Sequence, residues 1–416
     1  MALPARRYPL EGINLKDPLL FEQGMPHALF RQLRDEAPVY WNEEPEEDEP
    51  GFWALTKYDD IVAVSKNPQL FSSAMGGHQI SYPPGLEFNR ATAAIVGNMI
   101  GMDPPEHNAY RRLVSPSFSA SAVRKMEPTV REIVTRILHR VVPGGECEFV
   151  AEVAAELPLV VLCELLGVPH EDRRLLFGWT ERLTDFGNTP DDQVAAFAEL
   201  FAYGQALAER RRREPAGDLM SLMANVEMDG QRIDQQLLDG FFLLLVIAGN
   251  ETTRNTISGG LLALIEHPDQ YQLLREQPAL IPTAVEEMLR WVTPVIHFRR
   301  TATTDTEIRG QMIRRGDKVV MWYPSANRDE DMFERPDVFD VRRKPNEHLA
   351  FGEGQHFCLG AWLARLELRV MFEELLRRQP RIELAGRPRR IRSYFLSGFT
   401  SMPVRLAPPQ TAAERP

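Results

Sequence analysis

One cysteine inside a glycine-punctuated run, FGEGQHFCLG at 351–360, constrains this chain more than any other stretch. Gly352 and Gly354 permit turn geometries that residues with a Cβ avoid, so the backbone can loop tightly ahead of Cys358. Behind it, apolar residues recur at helical spacing (Leu359, Leu363, Leu366, Val370, Leu375). That spacing predicts a helix whose unpaired N-terminal N–H groups lie beside Cys358 and favour a thiolate. A free cysteine packed as a small hydrophobe needs neither the glycines nor His356 nor Phe351. The run reads as the setting of a metal-bound thiolate, with Cys358 as the metal ligand.

A thiolate on haem iron pushes electron density toward bound oxygen and favours O–O cleavage, which no ordinary side chain achieves alone. The run, Phe-Gly-x-Gly-x-x-x-Cys-x-Gly, resembles the haem-binding loop of the cytochrome P-450 superfamily. The resemblance implies haem b as cofactor, Cys358 as its axial ligand, Phe351 packed beside the sulfur and His356 bonded to a propionate. It also implies a fold that is mainly α with minor β, the haem lying between a long core helix and the cysteine-loop helix.

With 416 residues, 44% of them hydrophobic, a large core is available. No Gly/Ser linker, charge block or repeat divides the chain, which predicts one haem domain over 1–416 with short flexible ends near 1–10 and 408–416. Three cysteines (Cys147, Cys163, Cys358) argue against a disulfide framework and for a reducing, cytoplasmic compartment. The first residues, MALPARRYPLEGINLKDP, lack a signal peptide's apolar run and the roughly 20-residue span of a membrane anchor. A net charge of −11 with no dense Lys/Arg stripe argues against nucleic acid as a partner.

Helical periodicity dominates, and short strands are expected at 52–56, 295–302, 308–322 and 394–406. One helix, Leu237 to about Glu266, is nearly all apolar in its first half and should run through the core. Within it Ala248, Gly249, Asn250, Glu251, Thr252 and Thr253 put a glycine and several polar groups where burial is costly. Gly249 and the hydroxyls should let the helix open locally. Glu251 and Thr252 resemble the superfamily's acid–alcohol pair, which would relay protons through ordered water during dioxygen cleavage. The competing reading is a solvated Glu251 and a Thr252 bonded back to its own backbone.

Glu287 and Arg290 can pair on one helical face. By position they resemble the superfamily's buried Glu-x-x-Arg network, completed by Arg343 or, alternatively, Arg342. Haem propionates need charged or hydrogen-bonding partners when buried. His107 and Arg111, four apart on one helical face after the turn 103–106, match the superfamily's His-x-x-x-Arg. His356 and Arg300 would complete the set, with Arg299 on the opposite strand face as the alternative. The long apolar stretch 79–102 (Tyr82, Leu86, Phe88, Ile95, Val96, Met99, Ile100) reads as a lid. The resemblance implies that, with Leu244, Ala248, Val295, His297 and Phe395, it would enclose an apolar substrate above the haem.

Phrases such as GFWALTKYDDI, AGNETTRN and EEMLRW resemble soluble bacterial members that oxidise sterol side chains, methyl-branched lipids or terpenoids. The implied activity is monooxygenation of an unactivated C–H bond with dioxygen. The chain shows no Gly-rich dinucleotide fingerprint, so electrons would come from a ferredoxin and its NAD(P)H-dependent reductase. Arg112, Arg365 and Arg369 are expected to face that acidic donor, making electron delivery sensitive to salt. A peroxide-driven peroxygenase or a non-catalytic haem-based sensor could share Cys358, but neither needs Glu251 and Thr252.

Overall fold

The computed structural model describes residues 8–44, 51–80, 98–184, 189–228, 231–379 and 381–406. Its axis is the 32-residue helix Gln235–Glu266, which starts two residues ahead of the predicted point. Apolar side chains ring this helix instead of forming one stripe, and it is accordingly buried along most of its length. The helices Glu156–Leu166, Ile281–Val292 and Ala361–Arg378 pack on it. Close packing at its C-terminal half requires a missing side chain. A Cβ at Gly260 would stand 3.0 Å from Met288 Sδ and 3.1 Å from the Phe372 ring.

Helix Ala361–Arg378 is the one predicted behind the cysteine, and its other face lies along Ala120–Val141. An ion-pair ladder joins the two, with Arg131 bonded to Glu127, Glu373 and Glu374, and Arg369 to Glu127 and Glu373.

A five-stranded sheet flanks the helices in the order Val39–Asn42, Phe52–Leu55, Lys318–Trp322, His297–Ala302, Phe71–Ser72. Register sets Val319 opposite Arg300 and Val320 opposite Arg299. The stretch expected as one strand over 308–322 is instead a small hairpin, Thr306–Ile308 with Gln311–Ile313, followed by Lys318–Trp322. Gly310 and Gly316, at φ 79° and 94°, make the turns that divide it. A three-stranded sheet, Ile382–Leu384, Pro403–Leu406, Glu146–Glu148, closes the C-terminal side. The chain is therefore mainly α with minor β, and among the described residues no helix is long and apolar enough to cross a membrane.

Glu287 and Arg290 are fully buried and joined in a fork, Nε to Oε2 at 2.8 Å and Nη2 to Oε1 at 2.7 Å. Arg343 reaches Glu287 Oε2 at 3.1 Å, whereas Arg342 pairs with Asp340 at the surface. Arg290 also donates to the carbonyls of Asn327 and Pro336, both at 2.8 Å. The network ties the helix to the irregular segment leading into the cysteine loop.

Candidate active site

A cavity lies between the core helix and the cysteine loop, walled on one side by Leu244, Leu245, Ala248, Gly249 and Thr252 and on the other by Phe351, Cys358, Leu359 and Leu363. The loop is shaped by its glycines. Gly352 and Gly354 stand at φ 69° and 73°, and a Cβ at Gly354 would lie 2.5 Å from the Ser65 carbonyl oxygen. Cys358 N–H donates to the Phe351 carbonyl at 2.9 Å. Its helix begins three residues later, at Ala361, so the N–H donor acting on Cys358 is that of Gly360. Burial pushes the Cys358 thiol up, while Gly360, Arg111 and Arg365 pull the other way. A metal cation at the sulfur would settle that contest in favour of the thiolate.

At one edge of the cavity the chain gathers basic groups. The rings of His107 and His356 meet at a 45° tilt with centroids 4.2 Å apart, and His356 Nε2 lies 3.2 Å from Ser73 Oγ. His107 Nδ1 faces Asn108 Oδ1 at 3.2 Å, while its buried Nε2 has no partner. Arg300 is 4% exposed, and its hydrogen bond among the described residues is to the Arg299 carbonyl at 2.8 Å. Arg111 donates to the carbonyls of Gln355 and Phe357, at 3.2 and 2.6 Å. Burial, then the charge of Arg300, drives His356 down to about 2. Such clustering is unfavourable without anions. Basic groups at one edge that call for carboxylates, an apolar cavity and a thiol on its wall are a set that haem b would satisfy, so the residues present fit that group.

Arg299 turns the other way, its guanidinium donating to Thr301 Oγ1 at 3.2 Å and to the Ile80 carbonyl at 3.4 Å. The same alternation corrects the expected pocket. Met99, Ile100, Leu244, Ala248 and Val295 line the cavity, but His297 and Phe395 do not. His297 is fully buried against Trp322 and Tyr394, with Phe395 edge-on to it at 5.4 Å. Phe298, on the Arg300 face of the strand, lines the cavity instead. Tyr82, Leu86, Phe88, Ile95 and Val96 lie outside the described residues.

The core helix runs unbroken through Gly249, contrary to the expected local opening. Thr252 Oγ1 donates to the Ala248 carbonyl at 2.8 Å and Thr256 Oγ1 to the Thr252 carbonyl at 2.8 Å, so the hydroxyls add to the helix without displacing its ladder. Thr252 lines the cavity; Glu251 does not. Glu251 is fully buried and paired with Arg254, whose other nitrogen is 3.9 Å from Glu181 on a neighbouring helix. The solvated Glu251 of the competing reading is thus absent, while its back-bonded Thr252 is present.

Sequence reasoning passed over Arg254, Phe298 and Glu367. Glu367 lines the cavity at 3% exposure, its Oε2 has no partner, and burial pushes the carboxyl up to about 8. Its spacing of four from Leu363 put an acid on the buried stripe of its helix, a signal available in the sequence. The expected arginine face also differs. Arg112 is exposed, but Arg365 is bonded to Glu286 and Arg369 to Glu127 and Glu373. Beside them Trp362 and Phe357 are 54% and 37% exposed.

A family model described as Cytochrome P450 matches residues 196–380. The chain is 42% identical to linalool 8-monooxygenase of Pseudomonas putida, over 96% of this chain and 100% of that protein. It is 41% identical to a methyl-branched lipid omega-hydroxylase of Mycobacterium tuberculosis, over 96% of each. With a steroid C26-monooxygenase of Rhodococcus jostii it shares 38% identity over 95% of this chain and 84% of that protein. A solved structure of a Mycobacterium marinum cytochrome P450 in complex with pseudoionone superposes with a TM-score of 0.89 at 37% identity, covering 96% of this chain and 99% of that one.

Proposed function

The chain belongs to the cytochrome P450 family, monooxygenases built on haem b, and from that premise we propose that it hydroxylates an apolar sterol side chain, methyl-branched lipid or terpenoid. The whole chain acts as one haem domain, fed by a ferredoxin and its NAD(P)H-dependent reductase. The observation that carries the reading is the junction of an apolar cavity that ends at Cys358 with an edge where His107, Arg111 and His356 line it and the buried Arg300 lies close enough for its charge to act on His356.

Haem b, when bound, supplies the activation of dioxygen. Cys358 Sγ would hold its iron, with Phe351 lining the cavity beside it. Arg111, Arg300, His107 and His356 would hold its two propionates, which would balance the positive charge of the two arginines at that edge. Ala248 and Thr252 lie on the core-helix wall of the cavity. Thr252 Oγ1 exchanges its bond to the Ala248 carbonyl for one to an ordered water and passes a proton into the cavity. Glu251 replaces that proton: its carboxylate leaves Arg254, takes a proton from solvent on the side where Arg254 meets the half-exposed Glu181, and hands it to Thr252. Met99, Ile100, Leu244, Val295 and Phe298 hold the substrate by apolar contact and exclude water.

The reading is tested by titrating purified ferric enzyme with linalool-like terpenoids, methyl-branched fatty acids and sterols. One of these classes should convert the haem from low to high spin and be hydroxylated when ferredoxin, reductase and NAD(P)H are supplied. No spin change and no oxygenated product with any of them would refute the substrate assignment.

A further inference from the structure

Glu286 sits next to the buried Glu287 on Ile281–Val292 but serves a different partner. Arg365 Nε and Nη2 reach its Oε1 and Oε2, both at 2.8 Å, a fork-to-fork pair. His348 Nε2 lies 3.2 Å from the same carboxylate, and His348 Nδ1 accepts the Ala350 N–H at 3.3 Å. Arg365, whose guanidinium keeps its proton at any working pH, is the permanent balancing charge for Glu286. Burial opposes ionisation of Glu286, yet Arg365 and His348 hold its carboxyl down at about 2.

The pair therefore grips both ends of the cysteine loop, His348 on the way in and Arg365 on the helix leading out. Arg365 is also placed over the Phe351 ring, 4.5 Å from its centroid. The Phe351 carbonyl is the group that accepts the Cys358 N–H. A cation is thus held against the packing partner of the sulfur, with its charge cancelled by one carboxylate.

We infer that the Glu286–Arg365 pair is a charge-balanced clamp that sets how strongly the Cys358 sulfur donates electron density, and so sets the reduction potential of the bound haem. This rests on Cys358 being the haem ligand. Glu286 and Arg365 are positioning residues, acting through Phe351 and the loop. A bare guanidinium at this place favours the added electron, and a bare carboxylate disfavours it.

The test is spectroelectrochemical titration of the haem-loaded variants Glu286→Gln, Arg365→Gln and the double variant. Glu286→Gln should raise the potential and Arg365→Gln lower it, each by about tenfold in the one-electron equilibrium, about 59 mV. The double variant and Arg365→Lys, which keeps the charge without the fork, should stay within about twofold of the parent. A purely structural role would move both single variants the same way. Shifts of one sign, or shifts under twofold in both, overturn the clamp. Should a glutamine variant fail to retain haem, Arg365→Lys decides, since a potential as displaced as a lost charge requires is incompatible with the inference. The reduced carbon monoxide spectrum separates the two levels: without a thiolate signature in the parent protein the Cys358 reading fails, whereas an intact signature with unsplit potentials removes the clamp alone.

Discussion

Thr252 and Glu367 are two polar residues on one apolar cavity, and their surroundings give them opposite behaviour. Thr252 has its hydroxyl satisfied by the Ala248 carbonyl and can trade that bond for water without cost to the helix ladder. Thr252→Ala should leave substrate binding within about twofold but divert most of the consumed electrons to hydrogen peroxide; unchanged coupling, measured as product per NAD(P)H, would remove the relay. Glu367 is held neutral by burial, with a folded-state value of about 8 against an ordinary 4.5. The folded protein keeps a proton that the unfolded chain releases, so the acid's contribution is intact below pH 4.5 and is lost as pH rises toward 8. Glu367→Gln should therefore gain several degrees in melting temperature over the parent between pH 5 and pH 8; a pH-independent difference would contradict the buried, protonated acid. That Cys358, His107, Arg111 and His356 meet at one cavity was legible in the sequence, because a glycine-shaped loop and a four-residue spacing carry their own geometry. Phe298 was not, because choosing it over His297 requires knowing which face of a six-residue strand meets the cavity.

Among the elements, the helix Ile281–Val292 does the most positional work, since adjacent glutamates send Arg290 and Arg343 to one side and Arg365 to the other. Arg290→Leu would leave Glu287 with its fork partner gone at full burial, a loss of about 3–5 kcal/mol. Denaturant unfolding of that variant should show this loss together with poor haem retention, and near-parent stability would mean the network is dispensable. The long core helix was readable to within two residues at its start, because thirty apolar-rich positions outweigh any single polar one. The stretch 308–322 was not, because Gly310 and Gly316 fold it back on itself while its β-branched residues alone suggest continuity. Local opening at Gly249 failed for a related reason: hydroxyls that could break a ladder can equally bond along it.

At the scale of the molecule, the core helix and the cysteine-loop helix enclose a cavity whose reactive end is close to an outer face bearing Trp362, Phe357 and Arg112. Because Arg365 and Arg369 already answer carboxylates of their own, electron delivery there should lean on apolar contact and depend on salt less steeply than a bare arginine face would. Trp362→Ala should slow reduction by the proposed ferredoxin donor about tenfold while leaving substrate binding unchanged; stopped-flow reduction at parent speed would place the donor elsewhere. Everything else turns on Cys358. The most direct measurement is the optical spectrum of the purified, reduced protein under carbon monoxide. A Soret band strongly shifted to the red is the predicted result, the signature of a thiolate opposite the bound gas. Bound haem whose carbon monoxide adduct lacks that shift in the intact protein would contradict the assignment of Cys358, and with it the catalytic account.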